Sequence, residues 1–304
     1  MPSKNFFSTF AKATAGKLKS VLRILIPLAV GAFLLWQIYR NWQEIDPQIA
    51  DAYPIFLVLA FFANLTLYPF WLLGWYLILR ALNQKVNYGE AFRIGIIANF
   101  AKYIPGVVWQ YLGRMELAKA AGVPRPVGLA SLVYEIFIYL IAGMLWALLV
   151  FGKAFVAMGL IGAIVVWFGL PKIFGFLRSG IEKFKELPEA EIPLKTTIAV
   201  LVVNLIDFLV TGLALYFILL SFGSAALDPI KLTAIYALSW IIGYLTFLAP
   251  GGLGIADATL TGLLTPHLGI GFASLVAVIL RLIIFGNELL LGIIVWRLWR
   301  KNSN

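Results

Sequence analysis

Six charged side chains in or beside apolar stretches limit the chemistry this chain can do. Lys102, Arg114 and Arg281 are cations suited to a phosphate, and each Arg can make two parallel hydrogen bonds to it. Glu135, Asp207 and Asp257 are carboxylates able to receive an amine, balance the arginines or act as a general base. Spacing groups some of them. Asn204 and Asp207 are three apart and share a helix face, and Glu288 follows Arg281 at two-turn spacing with Asn287 beside it. Each needs a reason, because a charge at the bilayer centre costs about 2.5–3.5 kcal/mol. Other chemistry is excluded. With no Cys there is no thiolate nucleophile, and one histidine cannot build a multi-His metal site, so no metal or cofactor is expected. That histidine, His267, follows Pro266 and is expected in an ordinary loop.

The elements that hold these residues must be membrane spans. The 304 residues are 62% hydrophobic and only 12% charged. Soluble domains carry roughly 25% charged residues. Six stretches approach the length of about 20 apolar residues that a crossing needs: 21–39, 53–79, 127–151, 154–170, 196–220 and 271–296. Trp36, Tyr39, Trp42, Tyr53, Trp296 and Trp299 gather at their ends, as an interfacial aromatic belt does. The segment 171–195 has apolar residues at helical spacing among charges and reads as an amphipathic surface helix.

Two further apolar regions are broken in the middle. One, 91–120, contains Pro105 and Gly106, and the other, 233–264, contains Pro250, Gly251 and Gly252. Proline removes a backbone donor and glycine permits a tight reversal, so each region reads as a re-entrant hairpin, with a kinked full-length helix as the alternative. The basic residues fit the hairpins. With both re-entrant and the N-terminus cytoplasmic, every Lys and Arg falls on the cytoplasmic side except Arg40, Lys153, Lys231 and the intramembrane Arg281. That asymmetry is the positive-inside pattern of a cell (plasma or inner) membrane protein with both termini cytoplasmic. It also offers an explanation of the net charge of +10 that does not involve nucleic acid.

The expected fold is therefore an all-α polytopic bundle of about six spans and two re-entrant hairpins. A basic N-terminus (1–20) precedes one membrane domain (21–298), and a short tail (299–304) follows. Each half (21–151 and 154–298) reads span, span, broken hairpin, span. Three crossings per half invert the second half relative to the first, as in many transporters.

Two motifs also resemble a known family. They run from Asn99 to Arg114 (NFAKYIPGVVWQYLGR) and from Ala249 to Asp257 (APGGLGIAD). Together they resemble the transmembrane region of the lysylphosphatidylglycerol synthases, the flippase-like membrane domain family, over about residues 20–298. Gln110 stands where the commoner family pattern has an acid, and Arg114 is displaced by one position; the family acid of the second motif is Asp257. The resemblance implies a lipid-handling module. In fused members this region is thought to flip a lipid made by a soluble aminoacyl-transferase domain, which this chain is expected to lack.

The leading expectation is a lipid flippase or lipid-binding transporter rather than an enzyme. Its partners would be membrane lipids, such as an anionic phospholipid, a glycolipid or another polar-headgroup lipid. Its headgroup cavity would be formed by Lys102, Pro105, Gly106, Gln110, Arg114, Glu135, Asp207, Pro250, Gly251, Gly252, Asp257 and Arg281. An intramembrane transferase using a lipid-linked donor, or a non-catalytic partner of lipid-synthesis enzymes, are the alternatives. No GxxxxGK[ST] nucleotide loop is present to power transport. Two expectations stay open: Arg281 pairing with Asp207 as a helix lock, and Trp109 with Tyr111 either lining an acyl groove or packing on a neighbour.

Overall fold

A computed structural model describes residues 32, 35–43, 52–103, 109–152, 192–246 and 254–302. Every regular element among them is helical. The expected first and fourth spans lie largely or wholly outside these residues, as do the 171–191 stretch of the amphipathic segment and both Pro-Gly breaks.

Among the described residues, four helices or helix pairs have the length and composition of a crossing: Pro54–Ala81, Arg125–Leu149, Leu194–Ser221 and Ile270–Leu298. At 1.5 Å per residue each exceeds the roughly 30 Å hydrocarbon core. The first is built of α1 (Pro54–Leu65) and α2 (Leu67–Ala81), joined at Thr66. The short helices are α3 (Tyr88–Asn99), followed by a 3-10 turn over Phe100–Tyr103, and α4 (Trp109–Ala120). The long α5 (Arg125–Phe151) and α6 (Leu194–Ser221) come next. Then follow α7 (Pro229–Leu245), α8 (Ile255–Leu268) and α9 (Ile270–Asn302). The described parts of the two halves therefore share one order: a long apolar run, two shorter helices, a long helix.

At 12 to 17 residues, α3, α4, α7 and α8 are about 18–26 Å long, short of a full crossing. Local chemistry starts two of them. Asn87 accepts a hydrogen bond from the Glu90 backbone N–H at 2.9 Å, and Asp228 accepts from Lys231 N–H at 3.0 Å. Each cap satisfies a backbone donor that the first turn of a helix leaves without an intrahelical partner. Within each pair the partners pack on each other, α3 on α4 and α7 on α8.

His267 is not in a loop. It is exposed in the last turn of α8, which runs past Pro266 and closes at Gly269, with φ +74°. The Gly269 N–H bonds Thr265 O at 3.0 Å, so glycine rather than proline sets this end.

The centre of the bundle is α6, which packs against α1, α2, α5, α7 and α9. Val200, Asn204, Asp207, Thr211, Leu215 and Ile218 form one buried stripe at three- and four-residue spacing. The outer faces are apolar and exposed, as at Ile55, Phe62, Ile198, Val202, Leu282 and Ile293, which suits contact with lipid tails. Where lipid is as apolar as the side chains, close backbone approach carries the packing. At Gly212 a Cβ would lie 1.9 Å from Thr233 Oγ1 and 2.8 Å from Thr233 Cα. Gly212→Ala is expected to lower the apparent melting temperature in detergent, at a cost of about 1–3 kcal/mol for overpacking. Gly262→Ala on α8, where nothing lies within 4 Å, is the control and should match the parent or exceed it.

Candidate functional site

The candidate site is organised along α9. Arg281 and Glu288 stand two turns apart on one face, and each is engaged by a side chain close to one of the Pro-Gly breaks. Arg281 Nε and Nη2 donate to Asp257 Oδ1 at 3.0 and 2.5 Å. Asp257 is in the first turn of α8, where its other oxygen accepts the Gly254 N–H at 3.1 Å. A helix N-terminus favours a carboxylate there. Glu288 receives Lys102 Nζ, with Tyr103 OH at 2.6 Å and Tyr68 OH at 3.2 Å. Lys102 and Tyr103 end the 3-10 turn after α3.

A third pair is sealed. Arg114 on α4 makes two hydrogen bonds to Glu135 on α5, at 2.8 and 3.1 Å, and both side chains are about 95% buried. The guanidinium carbon lies 3.9 Å from the Trp75 ring centroid and 5.1 Å from that of Trp71. Trp75 is itself fixed, its Nε1 donating to Ser131 Oγ at 3.0 Å.

Asp207 does not pair with Arg281. The cation is taken by Asp257, which α8 brings alongside α9 through the tight turn at Gly269. Asp207 instead accepts Tyr139 OH on Oδ2 at 2.6 Å, and its Oδ1 has no hydrogen-bond partner among the described residues. Trp240 and Phe208 surround Tyr139, with ring centroids at 4.6 Å each.

These groups line a partly open cavity of about 200 Å³. Lys102, Gln110, Arg114, Glu135, Asp207, Asp257 and Arg281 all line it. Pro105, Gly106, Pro250, Gly251 and Gly252 lie outside the described residues.

The model of one protein family, described as the lysylphosphatidylglycerol synthase TM region, matches residues 24–295. The chain belongs to that family. A comparison with curated proteins returns no match.

Within this family member the three pairs differ in access. The Arg114 and Glu135 side chains are 4% and 5% exposed, Lys102 14% and Arg281 30%. Arg281, and after it Lys102, is thus less buried than the Arg114–Glu135 pair. Gln110 lines the cavity as a neutral amide, and Arg114 is held by Glu135. Tyr111 also lines the cavity and donates to Tyr244 OH at 3.0 Å, joining α4 to α7. Trp109 is about half exposed.

Some residues that sequence reasoning left out of the site belong to its geometry. Glu288 carried a signal, its shared face with Arg281. Tyr68, Tyr103 and Tyr139 carried none, since a tyrosine in an apolar helix reads equally well as packing or as an interfacial anchor. Among the described residues no group of three or more His, Asp or Glu is placed to hold a metal.

Proposed function

We propose that this protein is a lipid transporter that moves a polar or charged headgroup across the bilayer through the central cavity, while the acyl chains stay in lipid. One observation carries the proposal: cations accessible from a cavity sit inside a bundle of membrane-length helices. Arg281 and Lys102 attract the headgroup anion by charge and by hydrogen bonds. Cargo displaces Asp257 and Glu288, which take their cations back on release. The half-length helices α3, α4, α7 and α8 are read as re-entrant hairpins. The two halves are read as an inverted repeat that rocks about the cavity in the cell membrane. Transport is preferred to transferase chemistry because three of the four cavity carboxylates already hold cations and are poor general bases.

The test is a transbilayer assay in proteoliposomes containing headgroup-labelled anionic phospholipids and glycolipids. Protein is expected to accelerate loss of label from one leaflet for at least one lipid class. Equal rates with and without protein across the panel would end this reading.

A further inference from the structure

Among the described residues the cavity is lined by three cations, Lys102, Arg114 and Arg281, and by four carboxylates, Glu135, Asp207, Asp257 and Glu288. Each cation is held by a different carboxylate. Asp207 is left over. It is 1% exposed, one of its oxygens takes the Tyr139 hydroxyl, and the other has no partner among the described residues. Among the described residues, the helices packed on α6 present no spare cation to it. At the cavity they contribute Asn64 from α1, Tyr68 from α2, Glu135 and Tyr139 from α5, Tyr236 and Tyr244 from α7, and Arg281 with Glu288 from α9.

An ionised, unpaired carboxylate at this depth is costly, and intramembrane acids of this kind serve as proton relays elsewhere. We infer that Asp207 is a proton-loading site that couples transport of an anionic headgroup to a proton gradient. The inference rests on the transport reading above. The step is a simple transfer. One proton from water on the loading side binds Asp207 Oδ1, travels with the occupied cavity, and returns to water on the far side.

The charge count sets the direction of coupling. With Asp207 neutral the cavity balances three against three. A bound phosphodiester brings one negative charge, and ionising Asp207 as well would bring a second. Anion and proton therefore favour each other's presence, and by linkage each raises the other's affinity. The result is symport: cargo leaves fastest from the more acidic side.

Two measurements on the full chain test this. In phosphatidylcholine vesicles doped with headgroup-labelled phosphatidylglycerol, wild-type transport from the acidic side should exceed transport from the alkaline side several-fold. In Asp207→Asn, which is nearly isosteric, that ratio should fall to one. Infrared spectra should show the carbonyl stretch of a neutral carboxylic acid in the wild type and not in Asp207→Asn. A wild-type ratio of one, an Asp207→Asn ratio equal to wild type, or a neutral-acid band that is absent or persists in the variant would overturn proton coupling while leaving transport standing. A band of the expected kind with no lipid movement under any gradient would overturn the transport reading and the coupling with it.

Discussion

Arg114→Ala should yield little folded protein. The substitution leaves the Glu135 carboxyl buried without its cation, so it must either take up a proton or stand as an unpaired charge, and breaking such a pair costs about 3–5 kcal/mol. Total stabilities are commonly about 5–15 kcal/mol, so the loss is large. The cation–π contact with Trp75 is lost as well. The expected result is a sharp fall in monodisperse protein on size exclusion and in the apparent melting temperature in detergent. The paired replacement Arg114→Met with Glu135→Leu should recover both, because it removes the charges together and fills similar volume, and Met still packs well on Trp71 and Trp75. If the double variant melts no higher than the single, the pair is not the strut described. If it melts like the parent yet moves no lipid, Arg114 returns to the binding residues.

That strut shows how far the sequence could be read. The four long helices were legible because a bilayer demands about 20 apolar residues in a row, and no tertiary arrangement relaxes that demand. The short helices were legible in outline, since Pro105-Gly106 and Pro250-Gly251-Gly252 interrupt runs that would otherwise cross. Helical periodicity put Arg281 and Glu288 on one face of α9, and Asn204 and Asp207 on one face of α6. It gives a face but not the neighbour that meets it. Arg281 therefore read as a partner of Asp207, and its pairing with Asp257 went unseen. Only the turn at Gly269, which folds α8 back along α9, decides between them. The same gap hid Tyr68 and Tyr139, whose hydroxyls matter because of what α9 and α6 bring to them. Pro266 misled about His267 for a local reason: a proline in the last turn forfeits a single bond, and the helix continues to the glycine that can adopt a positive φ.

The Arg281–Asp257 pair should answer differently, because its two halves are expected to move lipid binding in opposite directions. Arg281 is the most accessible cavity cation. Arg281→Gln should leave the protein folded, since both partners reach the cavity, and should cost a charge-assisted bond to the headgroup. Such bonds are worth about 1.5–3 kcal/mol, so affinity for a short-chain anionic phospholipid in detergent should fall roughly tenfold to a hundredfold, with transport falling alongside. Asp257→Asn removes the carboxylate that competes with cargo for the same guanidinium. A part-exposed pair contributes up to about 1 kcal/mol, so affinity should rise by as much as about fivefold. Transport should nevertheless drop, because release depends on Asp257 reclaiming Arg281. A pair that merely straps α8 to α9 predicts the same sign for both substitutions, with lower melting temperature and weaker binding in each. Tighter binding with slower transport in Asp257→Asn has no explanation in a strap, since it requires carboxylate and cargo to take turns on one cation.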